Sequence, residues 1–210
     1  MAVSVKPWQV LASAITYRDR WLTIRSDSCI TAQGRKVAPY HVLEYPDWIN
    51  VVALTRDEQR LVLVREYRHG RGEVQLGLVS GVEVLDGEDA DKAAEAAALR
   101  ELREEVGFRA GRLLRVLDSY PNPATHSNRV TSFLAFDLEQ SESWPLDPTE
   151  AIEVIVDDFR AVLVRLRNGE LKMQAMHVAA LWSAPARIMQ GDGIPENFGK
   201  LQKRLRAAFA

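Results

Sequence analysis

The residues from Arg100 to Phe108 read RELREEVGF, and they close a run, Asp89 to Val106, that contains neither proline nor glycine. Alanine, leucine, glutamate, arginine and lysine fill the run and are the strongest helix formers, and a glycine just past the last turn, here Gly107, is a usual stop. The stretch therefore predicts a helix over 89–106. Glu101, Glu104 and Glu105 stand at spacings of three and four, so their carboxylates project from one broad face near the C-terminal end. Like charges so placed cost about 0.2–0.5 kcal/mol per pair and also oppose the helix dipole. The arrangement gains from a cation beside it. Hard divalent ions such as Mg²⁺ take oxygen ligands and commonly bridge carboxylates to substrate phosphates. A solvated face balanced by Arg100 and Arg103 is the competing account.

A match of nine positions in register, closed by a glycine, weighs against that account. Arg100 to Phe108 matches the REUxEExGU core of the Nudix box, with Leu102 and Phe108 at the apolar positions, and on these residues the chain resembles the Nudix family. The full pattern, Gx5Ex7REUxEExGU, is a loop-helix-loop that binds divalent metal and hydrolyses nucleoside diphosphates linked to another moiety. The resemblance implies an α/β fold, an α/β/α sandwich around a mixed sheet. It makes Glu101, Glu104 and Glu105 metal ligands, with Glu104 shared or accepting a proton. Arg100 counts among the catalytic residues, and Gly81, Glu88 and Gly107 are structural positions of the box.

The left half of the box departs from the pattern. Six residues, not five, separate Gly81 from Glu88, and eleven, not seven, separate Glu88 from Arg100. In the family the early glutamate pairs with the arginine of the core. Three arrangements stay open here: Glu88 reaching Arg100 over a longer loop, Glu95 replacing it, or an extra helical turn beginning near Asp89 or Asp91.

Elsewhere the chain alternates strand-like segments with breakers. Trp8 to Ile15, Trp21 to Arg25, Cys29 to Thr31 and Tyr40 to Tyr45 read as short strands, with Gln33-Gly34 as a turn. This N-terminal antiparallel unit is similar to the small sheet that precedes the Nudix domain in ADP-ribose pyrophosphatases, where it helps form a homodimer. Trp21 and Tyr40 could offer aromatic faces to a nucleobase, with ordinary packing as the plainer role for each. Strands follow over 49–55, 60–67 and 74–79. Later come a strand over 113–120, a Pro-rich loop over 121–129, a strand over 130–137, a loop over 139–149 whose length suits a lid, and a strand from Ala151. Helices are expected over 156–167, 174–183 and 197–209.

Several of these segments carry family positions. The passage from Arg65 to Gly81 resembles QYR…ELPAG, in which Arg68 matches the arginine that contacts the substrate's diphosphate or ribose. Ser80 matches the residue whose backbone carbonyl ligates metal. Gly77 stands where a glutamate is usual and Val79 where a proline is. His69 is assigned no role. At 121–129 the segment resembles SYxxPGxxxE, with Asn128 or Arg129 at the glutamate. Asp147 to Val154 resembles E-x-E-x-I-E-V. There Glu150 falls on the second glutamate, a metal ligand and catalytic candidate, and Pro148 replaces the first. Glu104, Glu150 or Asp147 is left to move the proton.

Composition narrows the partners. With 210 residues, 47% hydrophobic and 27% charged, the chain can build one sizeable core with a small appended unit. A net charge of −2 argues against nucleic acid or a membrane surface as partner. The one cysteine, Cys29, excludes an internal disulfide and fits a reducing cytoplasm. The expected organisation is an N-terminal dimerising β unit over 1–48, the Nudix domain over 49–186 and a helical tail over 187–210. By resemblance the substrate is ADP-ribose or a related nucleoside diphosphate sugar, and the cofactor is Mg²⁺ or Mn²⁺. Two other readings stay open: a Nudix pyrophosphatase for dinucleotides or coenzyme diphosphates, and a non-catalytic sensor. All three box carboxylates are present, which weighs against the sensor.

Overall fold

The computed structural model describes residues 5–56, 60–83, 89–141 and 151–209. Two compact units emerge: the chain up to Asp47 together with Tyr120–Arg129, and Trp48–Ser119 together with the chain from Val130.

The first unit is a three-stranded antiparallel sheet, β1 (Gln9–Arg18), β2 (Thr23–Ile30) and β3 (Lys36–Glu44), in that spatial order. Trp21–Arg25 and Cys29–Thr31, expected as separate strands, belong largely to the single strand β2. Its polar middle, Ser26-Asp27-Ser28, stays in the ladder because the buried Asp27 carboxylate accepts from Ser13 Oγ at 2.6 Å and pairs with Arg25 at 3.0 Å. These partners hold the Asp27 carboxyl below its usual range, the Ser13 hydroxyl contributing most. The Gln33-Gly34 turn forms, with Gly34 at φ 77°, where a side chain would be strained.

The Pro-rich segment adds to this sheet. Leu43 N–H donates to Thr125 O at 2.7 Å and Ser127 N–H donates to Leu43 O at 3.2 Å, so the segment runs parallel to the end of β3. Asn128, buried, donates from Nδ2 to Pro46 O at 3.2 Å, and Arg129 grips Asp47 through its amide at 2.7 Å and its guanidinium at 3.0 Å. The two positions aligned with the family's glutamate thus bind the segment to the chain before β4.

The second unit is built on β4 (Trp48–Thr55), β5 (Arg60–Arg68), β6 (Glu73–Gly77), β7 (Val79–Val82), β8 (Phe108–Arg109), β9 (Arg112–Ser119), β10 (Val130–Gln140) and β11 (Ile152–Asp158). The main path runs β11-β5-β4-β10-β8, with β6 on β5, β7 on β4 and β9 on β10. The β4–β10 pair is parallel and the others antiparallel, so the sheet is mixed. Alternate residues of the central strands feed two cores. Val52, Leu54, Leu61, Leu63, Leu134 and Phe136 enter one, and Val51, Ala53, Val62, Val64, Phe133 and Ala135 enter the other. Burial on both faces explains why these strands read as continuous apolar runs. Each large side chain so buried contributes roughly 1.5–3 kcal/mol.

Helix α1 (Ala90–Glu104) packs into the second core, and α2 (Phe159–Arg167), α3 (Ala175–Gln190) and α4 (Gly199–Phe209) pack into the first. The result is the expected α/β/α sandwich. Two boundaries shift for local reasons. Strand β11 continues to Asp158, whose carboxylate accepts from Ala161 N–H at 2.8 Å and so starts α2 at Phe159. Helix α3 runs past Ser183 through Pro185, because Ala184 and Ile188 are fully buried and hold the helix despite the missing N–H. Helix α4 places Leu201 and Leu205 in the core and leaves its basic residues Lys203, Arg204 and Arg206 exposed.

Candidate active site

The position of α1 follows from small side chains. Asp89 caps it by accepting from Asp91 N–H at 2.9 Å, and Ala93, Ala94, Ala97, Ala98 and Leu102 form its buried stripe. A stripe of alanines lets the helix axis approach the sheet closely. Glu101 and Glu105, flanking Leu102, are thereby drawn down toward β7. The helix runs from Ala90, well ahead of Arg100, so part of the extra length between Gly81 and Arg100 is helical. Glu95 is exposed and makes no ion pair with Arg100, which removes it as the substitute for the early glutamate. Glu88 lies outside the described residues.

Strand β7 meets the helix through main chain. Ser80 N–H donates to Glu105 Oε2 at 3.2 Å, and the Arg100 guanidinium donates to Val82 O at 3.1 Å. The same Arg100 nitrogen lies 2.7 Å from Glu101 Oε1, and its Nε is 3.5 Å from Glu104 Oε2. Gly81 faces Glu101 so closely that a β-carbon there would lie 2.1 Å from Oε1. Only glycine fits. Glu105 is buried at 9% exposure, whereas the Glu104 side chain, at 33%, reaches solvent. At its C-terminal side the helix ends as expected, with Gly107 at φ 69°.

Glu101 and Glu105 therefore stand over Ser80-Gly81 as two largely buried carboxylates, with Glu104 at the rim. Arg100 balances Glu101 in part, and like charges gathered on one helix face disfavour one another, so such a set gains from further positive charge. Among the described residues, no group of three or more Asp, Glu, His or Cys side chains is placed to hold a metal ion. The oxygen donors present suit Mg²⁺ nonetheless, because that ion keeps several waters and is usually held by one or two carboxylates plus substrate phosphates.

The remaining residues named from the sequence fall in separate places. Arg68, in the second unit, forms an ion pair with Glu66. Trp21, in the first unit, is 60% exposed, with the Arg20 guanidinium 4.5 Å from its ring centroid. Tyr40, also in the first unit, donates its hydroxyl to Ala124 O and packs edge-on against Trp8 at 5.7 Å. Glu150, Asp147 and Pro148 lie outside the described residues, as does most of the 139–149 loop.

Two buried polar residues carried no signal in the sequence. Glu83, directly after β7, is 5% exposed. His177, on the first turn of α3, is 1% exposed and accepts from Leu78 N–H through Nδ1 at 3.3 Å. Burial, with the nearby Arg68 charge adding to it, pushes the His177 pKa down to about 3. Gly77 abuts this imidazole, since a β-carbon there would lie 3.1 Å from Nδ1 and Cε1. A pair consisting of a glycine and a distant histidine shows no periodicity or motif that sequence reading could use.

An acidic helix end docked on a glycine-bearing strand, within a sandwich of this topology, is the framework of a known enzyme class. The family model of the NUDIX domain matches residues 45–180, and the chain belongs to that family; it is a Nudix hydrolase. A second model, the nucleoside diphosphate sugar hydrolase N-terminal domain, matches residues 8–43. An ADP-ribose pyrophosphatase of Bacillus subtilis (strain 168) is 30% identical over 121 residues, covering 57% of this chain and 62% of that protein. The solved structure of an ADP compounds hydrolase shares the fold with a TM-score of 0.74, at 24% identity over 91% of this chain and 99% of that one.

Proposed function

We propose that this Nudix hydrolase cleaves the diphosphate linkage of ADP-ribose or a related nucleoside diphosphate sugar, with Mg²⁺ or Mn²⁺ as cofactor. The observation that carries the reading is the seating of Glu101 and Glu105 on Gly81 and Ser80. The match of residues 8–43 to an N-terminal domain of nucleoside diphosphate sugar hydrolases, and the similarity to an ADP-ribose pyrophosphatase, support the substrate class.

In this reading Glu101, Glu105, Glu104, Glu150 and the Ser80 carbonyl would hold the divalent ions. When bound, such ions neutralise phosphoryl charge and lower the pKa of water. Arg68 offers two N–H groups to phosphate oxygens, for which it exchanges its contact with Glu66. Arg100 keeps Glu101 oriented and ties the helix to Val82. A water oxygen bonds to one phosphorus while the bond from that phosphorus to the bridging oxygen breaks. The water proton passes to Glu104 or Glu150, and a nucleoside monophosphate and a sugar phosphate leave. Trp21 and Tyr40 are the aromatic candidates for the base.

The same reading includes a homodimer formed through the N-terminal sheet. Strand β1 is an edge, exposed along its whole length, and it presents Val10, Leu11, Ile15 and Tyr17 to solvent. Replacing Ile15 with lysine is expected to give a monomer by light scattering where the unaltered chain is a dimer. A cytoplasmic setting is consistent with Cys29, a buried free thiol, and no helix among the described residues is long and apolar enough to cross a membrane.

Specificity is tested by comparing kcat/KM for ADP-ribose, other nucleoside diphosphate sugars, dinucleoside polyphosphates and coenzyme diphosphates. The sugar substrates should lead. A preference for dinucleotides or coenzymes would overturn the substrate assignment while keeping the reaction type.

A further inference from the structure

The strand that carries Ser80 and Gly81 changes partners just before it reaches the box helix. Through Gly77 the chain pairs with β5, where Gly77 faces Val64, and from Val79 onward it pairs with β4, where Val79 faces Val51. Leu78 sits at the exchange, fully buried, and its N–H is directed out of both ladders to His177 Nδ1 at 3.3 Å. A buried amide at such a break needs an acceptor, because leaving it unpaired costs its full desolvation. Since Nδ1 accepts, the ring proton is on Nε2, which has no partner among the described residues. The imidazole approaches this closely because residue 77 lacks a β-carbon. The ring is therefore held in place for the contact at Nδ1.

We infer that His177 is a positioning residue for the metal-binding strand: its Nδ1 fixes Leu78, and through Leu78 the register at which Ser80 and Gly81 meet Glu105 and Glu101. The inference rests on the metal site of the proposed function. The two contacts lie on one short segment, Leu78 bonded to α3 and Ser80 bonded to α1. Losing the first frees the Leu78 end of the segment and leaves β7 held by its β4 ladder and by α1. The carboxylates remain present but lose their fixed partner, and metal affinity falls with it.

The test uses Mn²⁺ binding to the full-length protein without substrate, followed by electron paramagnetic resonance, with amide exchange at Leu78 and Ser80 recorded on the metal-free protein. His177→Leu keeps bulk and removes the acceptor. His177→Asn places an amide oxygen near the position of Nδ1. Outer partners of metal sites contribute about 10–100-fold in affinity, so His177→Leu should weaken Mn²⁺ binding by about 10-fold or more and speed exchange at both amides. His177→Asn should stay near wild type in both measurements. If the leucine variant does not fold, Gly77→Ala replaces it, since the added methyl would lie 3.1 Å from Nδ1 and Cε1 and push the ring by a few tenths of an ångström without deleting it, and Mn²⁺ affinity should again fall. Folded His177→Leu or Gly77→Ala protein that binds Mn²⁺ like wild type overturns the inference alone. So does an asparagine variant as weak as the leucine one. Wild-type protein that binds no Mn²⁺ overturns the metal site and the inference together.

Discussion

The Glu101 carboxylate occupies the space that any side chain on residue 81 would need: the ideal β-carbon position at Gly81 lies 2.1 Å from Glu101 Oε1 and 2.3 Å from its carboxylate carbon. Strand and helix are thus in contact at the point where the box carboxylates gather, and the opening glycine of the motif is explained by packing rather than by backbone angle.

Gly81→Ala should therefore act through Glu101. The methyl cannot enter without moving the carboxylate or lifting α1 from β7, and overpacking of this kind costs about 1–3 kcal/mol. A lower melting temperature is expected together with a raised Mg²⁺ requirement for hydrolysis. A variant with the wild-type magnesium titration would show that Glu101 does not contribute to the metal site.

His177 makes a second prediction, on stability. It titrates near 6.5 when unfolded and is held to about 3 in the fold by burial, with the Arg68 charge adding to it. The folded state thus keeps it neutral while the unfolded chain takes up a proton below 6.5. Its contribution is complete above that pH, declines as pH falls from 6.5 toward about 3, and is gone below. Over that window the slope is about 1.4 kcal/mol per pH unit. Urea unfolding at pH 7.5, 6.5 and 5.5 should show a steeper acid loss in wild type than in His177→Asn; parallel curves would contradict the buried neutral imidazole.

In the sequence Glu150 stands two residues after Pro148 and two before Ile152, where β11 begins. If it takes part in proton transfer, Glu150→Gln should lower kcat by about 10²–10⁴-fold. The Mg²⁺ requirement should rise as well. Kinetics that overlay wild type would transfer the role to Glu104 or Asp147.

The box was legible because its chemistry demands fixed spacing: carboxylates one helical turn apart, closed by Gly107 in the left-handed region. The sandwich was legible because doubly buried strands such as β4 and β10 read as unbroken apolar runs. Three features depended on partners distant in the chain and left no local trace. Asp27 looks like a strand breaker until Ser13 and Arg25 are placed beside it. The 121–129 segment reads as a free loop because its pairing with Leu43 is made by main chain. Gly77 reads as a departure from the family until the His177 ring is found against it. In the last case the glycine and the ring packed against it lie one hundred residues apart, and only the fold joins them.

Glu105, held by Ser80 N–H at 3.2 Å, is the carboxylate on which the proposed divalent-metal site and its diphosphate hydrolysis most depend. The most direct measurement follows ADP-ribose by ³¹P NMR with wild-type and Glu105→Gln protein, each with saturating Mg²⁺ and with chelator. Conversion to AMP and ribose 5-phosphate should require Mg²⁺, and the glutamine variant should be slower by about 10²-fold or more although it folds normally. Equal rates for the two proteins at saturating Mg²⁺, or hydrolysis undiminished by chelator, would contradict the assignment.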